Sequence, residues 1–163
     1  MEFHHLKIFF VALAVFCLAF FGFGLYYLVS YLQAHSAPTT VSIENKTSVV
    51  VAVADTDALR RRGLSGRPVL GELEGMLFVF DNPALSSFWM KEMLIPIDII
   101  WIRQGVIVGY TENVAPPVPA TPDNILLRYP SPIAVDAVLE VTAGFALRHN
   151  LEVGDHITVH RPR

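Results

Sequence analysis

Ile8 to Val29, "IFFVALAVFCLAFFGFGLYYLV", is a run of 22 residues without a charge, and it divides the chain into two parts with different solvents. As a helix it would be about 33 Å long, enough to cross the roughly 30 Å hydrocarbon core of a bilayer. A cleaved secretory signal has an apolar core of about 7 to 15 residues, which is shorter. Ala34-His35-Ser36, the nearest small-residue stretch, is a poor match to an Ala-x-Ala cleavage site. The expectation is therefore an uncleaved single-pass anchor in the cytoplasmic (inner) membrane. The alternative is a signal that is removed, leaving a secreted or periplasmic domain. Lys7 precedes the span and no Lys or Arg occurs between Leu32 and Asn45, so the positive-inside bias puts the C-terminal domain outside the cytoplasm. The organisation expected is a head over 1–7, an anchor over 8–32, a tether over 33–46 and an extracytoplasmic domain over 47–163.

Cys17 is the single cysteine and lies within the apolar run, so the outer domain has no disulfide, thiol nucleophile or thiolate ligand to offer. From Pro38 onward 11 Lys and Arg stand against 14 Asp and Glu, a balance that argues against a nucleic-acid partner. The outer domain alternates short β-branched runs with turn signals. "TSVVVAVA" (Thr47 to Ala54) reads as a strand, followed by Asp55 or Thr56 as N-cap of a small helix that stops near Gly63. "GMLFVF" (Gly75 to Phe80) is a further strand. Pro96 cannot donate to a ladder, so a strand starts there. Ile97 to Ile102, a turn at Arg103-Gln104-Gly105 and Val106 to Thr111 then form a hairpin. Pro116 to Pro132 holds six of the eleven prolines and reads as an extended surface loop. "VDAVLEV" (Val135 to Val141) resumes strand character, Thr142 is placed to cap a short helix through His149, and Gly154-Asp155 turns into a last strand. The fold class that follows is mainly β with two short helices, a compact antiparallel sandwich or barrel behind one N-terminal transmembrane helix.

Charges inside the apolar stretch "FWMKEMLIPIDIIWI" (Phe88 to Ile102) mark the candidate chemistry. Alternation sets Asp98, Ile100 and Ile102 on one face and Ile97, Ile99 and Trp101 on the other, so Asp98 is expected to be buried or half buried. A buried carboxylate needs a cation or several N–H donors; Lys91 is the nearest cation in sequence, with Arg62 and Arg67 within reach through the fold. The residue then serves either as a structural ion pair or turn anchor, or as a functional pocket carboxylate. Glu140 shares a strand face with Val138 and Thr142. With Asp98 it would make a carboxylate pair suited to carbohydrate hydrolysis only if the fold set the two about 5 to 9.5 Å apart. Arg60-Arg61-Arg62 is either an anion site or a solvated helix face. Phe88, Trp89 and Trp101 with Met90 and Met93 either line a groove for a glycan, lipid or partner segment, or fill the core.

His149, His156 and His160 do not make a metal site by spacing, since the last two stand about 13 Å apart along one strand. No phosphate loop or dinucleotide fingerprint is present, and no cofactor is implied.

Taken in order, "AVADTDALRRRGLSGRP", "EGMLFVF", "FWMKEMLIPIDIIWI", "VLEVTAG" and "VGDHITV" resemble the prokaryotic family called domain of unknown function 192, over about Val49 to Val159. Ser65 stands where many relatives carry methionine, and Glu92 where asparagine is frequent. The resemblance implies a small, mainly β domain, often behind a signal or membrane anchor, with no established activity. It puts Arg67, Trp89, Lys91 and Asp98 at motif positions and so implies a shared polar cluster, binding or structural. The reading with which these features agree best is a membrane-anchored binding or accessory module for an envelope glycan or a membrane protein. A carbohydrate-active hydrolase using Asp98 and Glu140, or a structural assembly factor, are the alternatives.

Overall fold

A computed structural model describes residues 22–28 and 37–162. Residues 22–28 are helical and belong to a unit, Met1–Ala37, separate from the unit Pro38–Arg163. Most of the expected membrane span lies outside the described residues; among those residues no helix is long and apolar enough to cross a membrane.

The second unit is built on a seven-stranded sheet. Its strands are β1 (Thr40–Ile43), β2 (Thr47–Ala54), β3 (Glu74–Ala84), β5 (Ile97–Arg103), β6 (Val106–Val114), β8 (Val135–Thr142) and β9 (Ile157–His160), in the spatial order β6-β5-β8-β3-β2-β1-β9. β4 (Ser87–Trp89) and β7 (Arg128–Pro130) pair separately as a small antiparallel sheet. The helices are α1 (Asp57–Arg62) and α2 (Phe145–Arg148), with a single 3-10 turn at Asp123–Ile125. The long sheet curls into a half-barrel whose two edge strands meet at one end. There Ile107 N donates to Asp155 O at 2.9 Å and Ile157 N donates to Gly105 O at 2.8 Å.

Local chemistry explains most of these elements. The β5–β6 hairpin closes through Gln104 and Gly105, both in the left-handed region (φ 51° and 72°), as a two-residue turn that matches strand twist requires. Arg103 belongs to the strand rather than to the turn. Thr56 caps α1 by accepting from Leu59 N at 3.3 Å, and Gly63 ends it with φ 51°. The pairing is antiparallel throughout the long sheet except for β2 with β3, which run parallel because α1 carries the chain back between them.

Two expectations need correction. The folded unit begins before residue 47: β1 lies in what reads as tether, and its Val41 and Ile43 are fully buried. α2 is capped by Gly144 without any side chain of its own neighbourhood, not by Thr142.

Both faces of the sheet are covered. On one face Ile100, Ile102, Leu139, Val141 and Leu77 pack with Phe145 of α2. On the other, Ile97, Ile99, Trp101, Val138 and Phe78 pack beneath Leu64, Met90 and Met93. This double cover is why Ile97 to Ile102 are all buried and why a charge there needs a specific reason.

Candidate functional site

Asp98 is fully buried, as its alternation with Ile100 and Ile102 implies, but its partners are not cations. Oδ1 accepts from Asn113 N at 2.8 Å and Gly144 N at 3.0 Å, and Oδ2 accepts from Ala146 N at 2.9 Å. The carboxylate satisfies the free amides at the start of α2, so the cap missing from the local sequence arrives from β5. Of the two compensations open to it, several N–H donors rather than a cation are found: Lys91, Arg62 and Arg67 are not its partners, and Asp98 is part of the architecture.

Of the other residues at motif positions, Arg67 is engaged elsewhere while Lys91 and Trp89 stay together. Arg67 donates to Glu74 at 2.8 Å and to Val69 O at 3.1 Å. Lys91 pairs with Asp123 at 2.6 Å and sits 5.5 Å from the Trp89 ring. Nor do the two candidate carboxylates meet. Glu140 lies opposite Ile99 in the β5–β8 register while Asp98 lies opposite Val141, so the two side chains leave opposite faces of the sheet.

Glu140 instead stands on the face that carries Leu64, Met90 and Met93. It is 5% exposed, and its Oε2 has no hydrogen-bond partner among the described residues. Burial pushes its carboxyl from an ordinary value of 4.5 up to about 8, so the group is largely neutral at pH 7. Close strand packing fixes its position: a Cβ on Gly75 would come within 2.6 Å of Glu140 O. Two hydrogen bonds tie the segment after α1 to the segment after β4 beside it: Ser65 Oγ donates to Lys91 O at 2.9 Å and Gly66 N donates to Glu92 O at 2.8 Å. A cavity of about 40 Å³ lies here, lined by Glu140, Arg60 to Ser65, Phe88, Trp89 and Lys91 among others.

Beside this cavity an open cleft of about 350 Å³ runs between α1 and the β4–β7 sheet. Its walls hold three arginines (Arg60, Arg61, Arg128), one aspartate (Asp57), two serines and the rings of Phe78, Phe80, Phe88 and Trp89. Arg128 lies over Trp89, with its guanidinium carbon 3.9 Å from the ring centroid, because β4 and β7 set Trp89 opposite Arg128. Arg60 is held by Asp57 at 2.6 Å and by the carbonyls of Asp55 and Val79, and it lies 5.6 Å from the Phe80 ring centroid. Phe88 meets both Phe78 and Trp101 edge to face, at 4.9 and 5.6 Å, tying the cleft wall to the core.

The sequence supplies the parts of this cleft in the arginine run and the aromatic residues, but nothing in it signals Arg128. That residue reaches Trp89 only through a strand pairing across the proline-rich loop. Chemically, the cleft offers fixed positive charge and flat apolar rings, and the small cavity beside it offers one neutral carboxyl. Among the described residues no group of three His, Cys, Asp or Glu is placed to hold a metal ion.

A curled, mainly β domain with a cationic, aromatic-walled cleft on one face defines the class of protein. The chain belongs to the DUF192 family, described as "Uncharacterized ACR", whose model matches residues 39–159. Two solved structures share the fold. A protein of unknown function from Novosphingobium aromaticivorans is 29% identical with a TM-score of 0.64, the match covering 76% of this chain and 84% of that one. A putative transcription regulator from Sinorhizobium meliloti is 27% identical with a TM-score of 0.67, covering 76% of this chain and 95% of that one. No curated protein matches the sequence.

Proposed function

We propose that the β domain is a binding module for an anionic envelope glycan, displayed outside the cytoplasmic membrane by the apolar segment over residues 8–32. The observation that carries this reading is the cleft wall, where Arg128 stacks on Trp89 beside Phe80, Phe88 and the arginines of α1. Sugar rings present flat C–H faces that pack on aromatic side chains, and guanidinium groups pair with carboxylate or phosphate substituents. Three arginines against one aspartate favour an anionic ligand over a neutral one. The opposed placement of Asp98 and Glu140 removes the carboxylate pair on which a hydrolase reading would rest.

Isothermal titration calorimetry of the full chain in detergent micelles, with trigalacturonate and with neutral maltotriose, tests the proposal. The charged trisaccharide is expected to bind at least tenfold more tightly, and to weaken as salt rises. Equal affinity for the two sugars, or no heat from either, would remove the reading.

A further inference from the structure

Side-chain atoms buried without a partner among the described residues occur on Arg103, Glu140 and His149. Glu140 is the one of these that lines the small cavity beside the cleft. The cavity it lines shares Arg60, Arg61, Phe78, Phe88 and Trp89 with the open cleft, so the two spaces adjoin. Its volume of about 40 Å³ exceeds the roughly 10–15 Å³ that one water needs, which leaves room for the end of a carboxylate but not for a sugar ring.

The chemistry of the surroundings restricts what enters. From α1 the side chains of Arg60, Arg61 and Arg62 line the cavity, and from the segment after β4 Lys91 does. The strand neighbours Met76 and Ile99 carry no charge. Arg60 is already paired with Asp57 and Lys91 with Asp123, so Arg61 and Arg62 supply the positive excess that draws in anions. An ionised Glu140 would repel an arriving anion across a poorly solvated gap, whereas a neutral one presents an O–H donor. The carboxyl without a partner is thus a donor waiting for an acceptor.

Resting on the glycan reading above, we propose that Glu140 is a specificity-determining residue that donates its carboxyl proton in a hydrogen bond to a carboxylate oxygen of a uronic acid. The ligand class narrows accordingly to uronate-bearing glycans, and binding requires the protonated form of Glu140. Burial already holds that form in place at neutral pH. No other side chain lining the cavity belongs to a type that titrates between pH 6 and 9, since the rest are Arg, Lys, Ser, Gly, Leu, Met, Phe and Trp.

The test is calorimetric titration of the full chain in detergent micelles with trigalacturonate, whose carboxylates stay ionised throughout, at pH 6.5, 8 and 9.5. With only the protonated form competent, wild-type affinity should fall about thirtyfold between pH 6.5 and 9.5. Titrations at pH 8 in buffers of different ionisation enthalpy should show uptake of about half a proton per site. Glu140→Gln, which keeps an N–H donor and cannot ionise, should bind with little pH dependence and no proton uptake. A wild-type affinity that is flat over this range, or a fall that persists in Glu140→Gln, would overturn the assignment while leaving the cleft as a glycan site. No wild-type binding at pH 6.5 would overturn both.

Discussion

Replacing Glu140 by Gln should change how stability depends on pH, and the size of the change follows from the burial of one carboxyl. Its folded value of about 8 stands against an ordinary 4.5, so the native state holds a proton that the unfolded state has already released across the interval between them. Where the unfolded chain binds fewer protons than the native one, stability falls as pH rises. Below 4.5 both states are protonated and above about 8 both are ionised, so the loss is confined to that window. At about 1.36 kcal/mol per pH unit it amounts to roughly 5 kcal/mol, an upper bound because water entering the site would relax the charge. The substituted amide would be neutral everywhere and should show no such slope from this position. Urea denaturation of the unit Pro38–Arg163, followed by circular dichroism at pH 5 and pH 8.5, measures the difference. The variant should lie within about 1 kcal/mol of wild type at pH 5 and be more stable by roughly 4 kcal/mol at pH 8.5. Stability curves that run parallel for the two proteins over this range would refute the claim that Glu140 is buried in the neutral form.

Asp98→Asn should cost about 3 kcal/mol in the same assay, because an amide replaces one of the oxygens that accept from Asn113, Gly144 and Ala146 and turns a donor towards a donor. An unchanged midpoint would remove Asp98 from its structural role. Gly75→Ala should lose about 1 to 3 kcal/mol, since the added methyl meets Glu140 O at 2.6 Å and the Val141 side chain at 3.1 Å; a neutral result would mean that β3 and β8 can move apart. Thr56→Ala should lose about 1 kcal/mol through the N-cap of α1, with no effect on the pH slope.

The sequence announces those parts of the fold that rest on neighbours along the chain. Thr47 to Ala54 forms a strand with the limits its β-branched run suggests, and α1 starts and stops at Thr56 and Gly63. β1 escapes notice because four residues give too brief an alternation and Pro38 to Thr40 resemble linker; Val41 and Ile43 are core only because β2 and β9 flank them. The parallel pairing of β2 with β3 has no local signature. Asp98 is recognisable as an inward charge, yet its partners are the amide of Asn113 in β6 and those of Gly144 and Ala146 at the start of α2, 46 and 48 residues later, and residue types alone do not distinguish amide from cation. The same holds for the cleft: Trp89 and the arginine run are visible, whereas Arg128 joins them through a strand pairing that only folding creates.

The chain contains two tryptophans, and their positions provide an internal control for the central claim, that the cleft is where the glycan binds. Trp89 lines the cleft beneath Arg128, while Trp101 is 1% exposed and donates its indole N–H to Thr111 Oγ1 at 3.3 Å. The decisive measurement is the pair of indole ¹⁵N–¹H resonances during titration with trigalacturonate and with maltotriose. Saturable movement of the Trp89 signal with the charged sugar alone, and a still Trp101 signal, is the predicted result. A Trp89 resonance that stays fixed at sugar concentrations saturating the calorimetric signal, or that responds equally to both sugars, would contradict it.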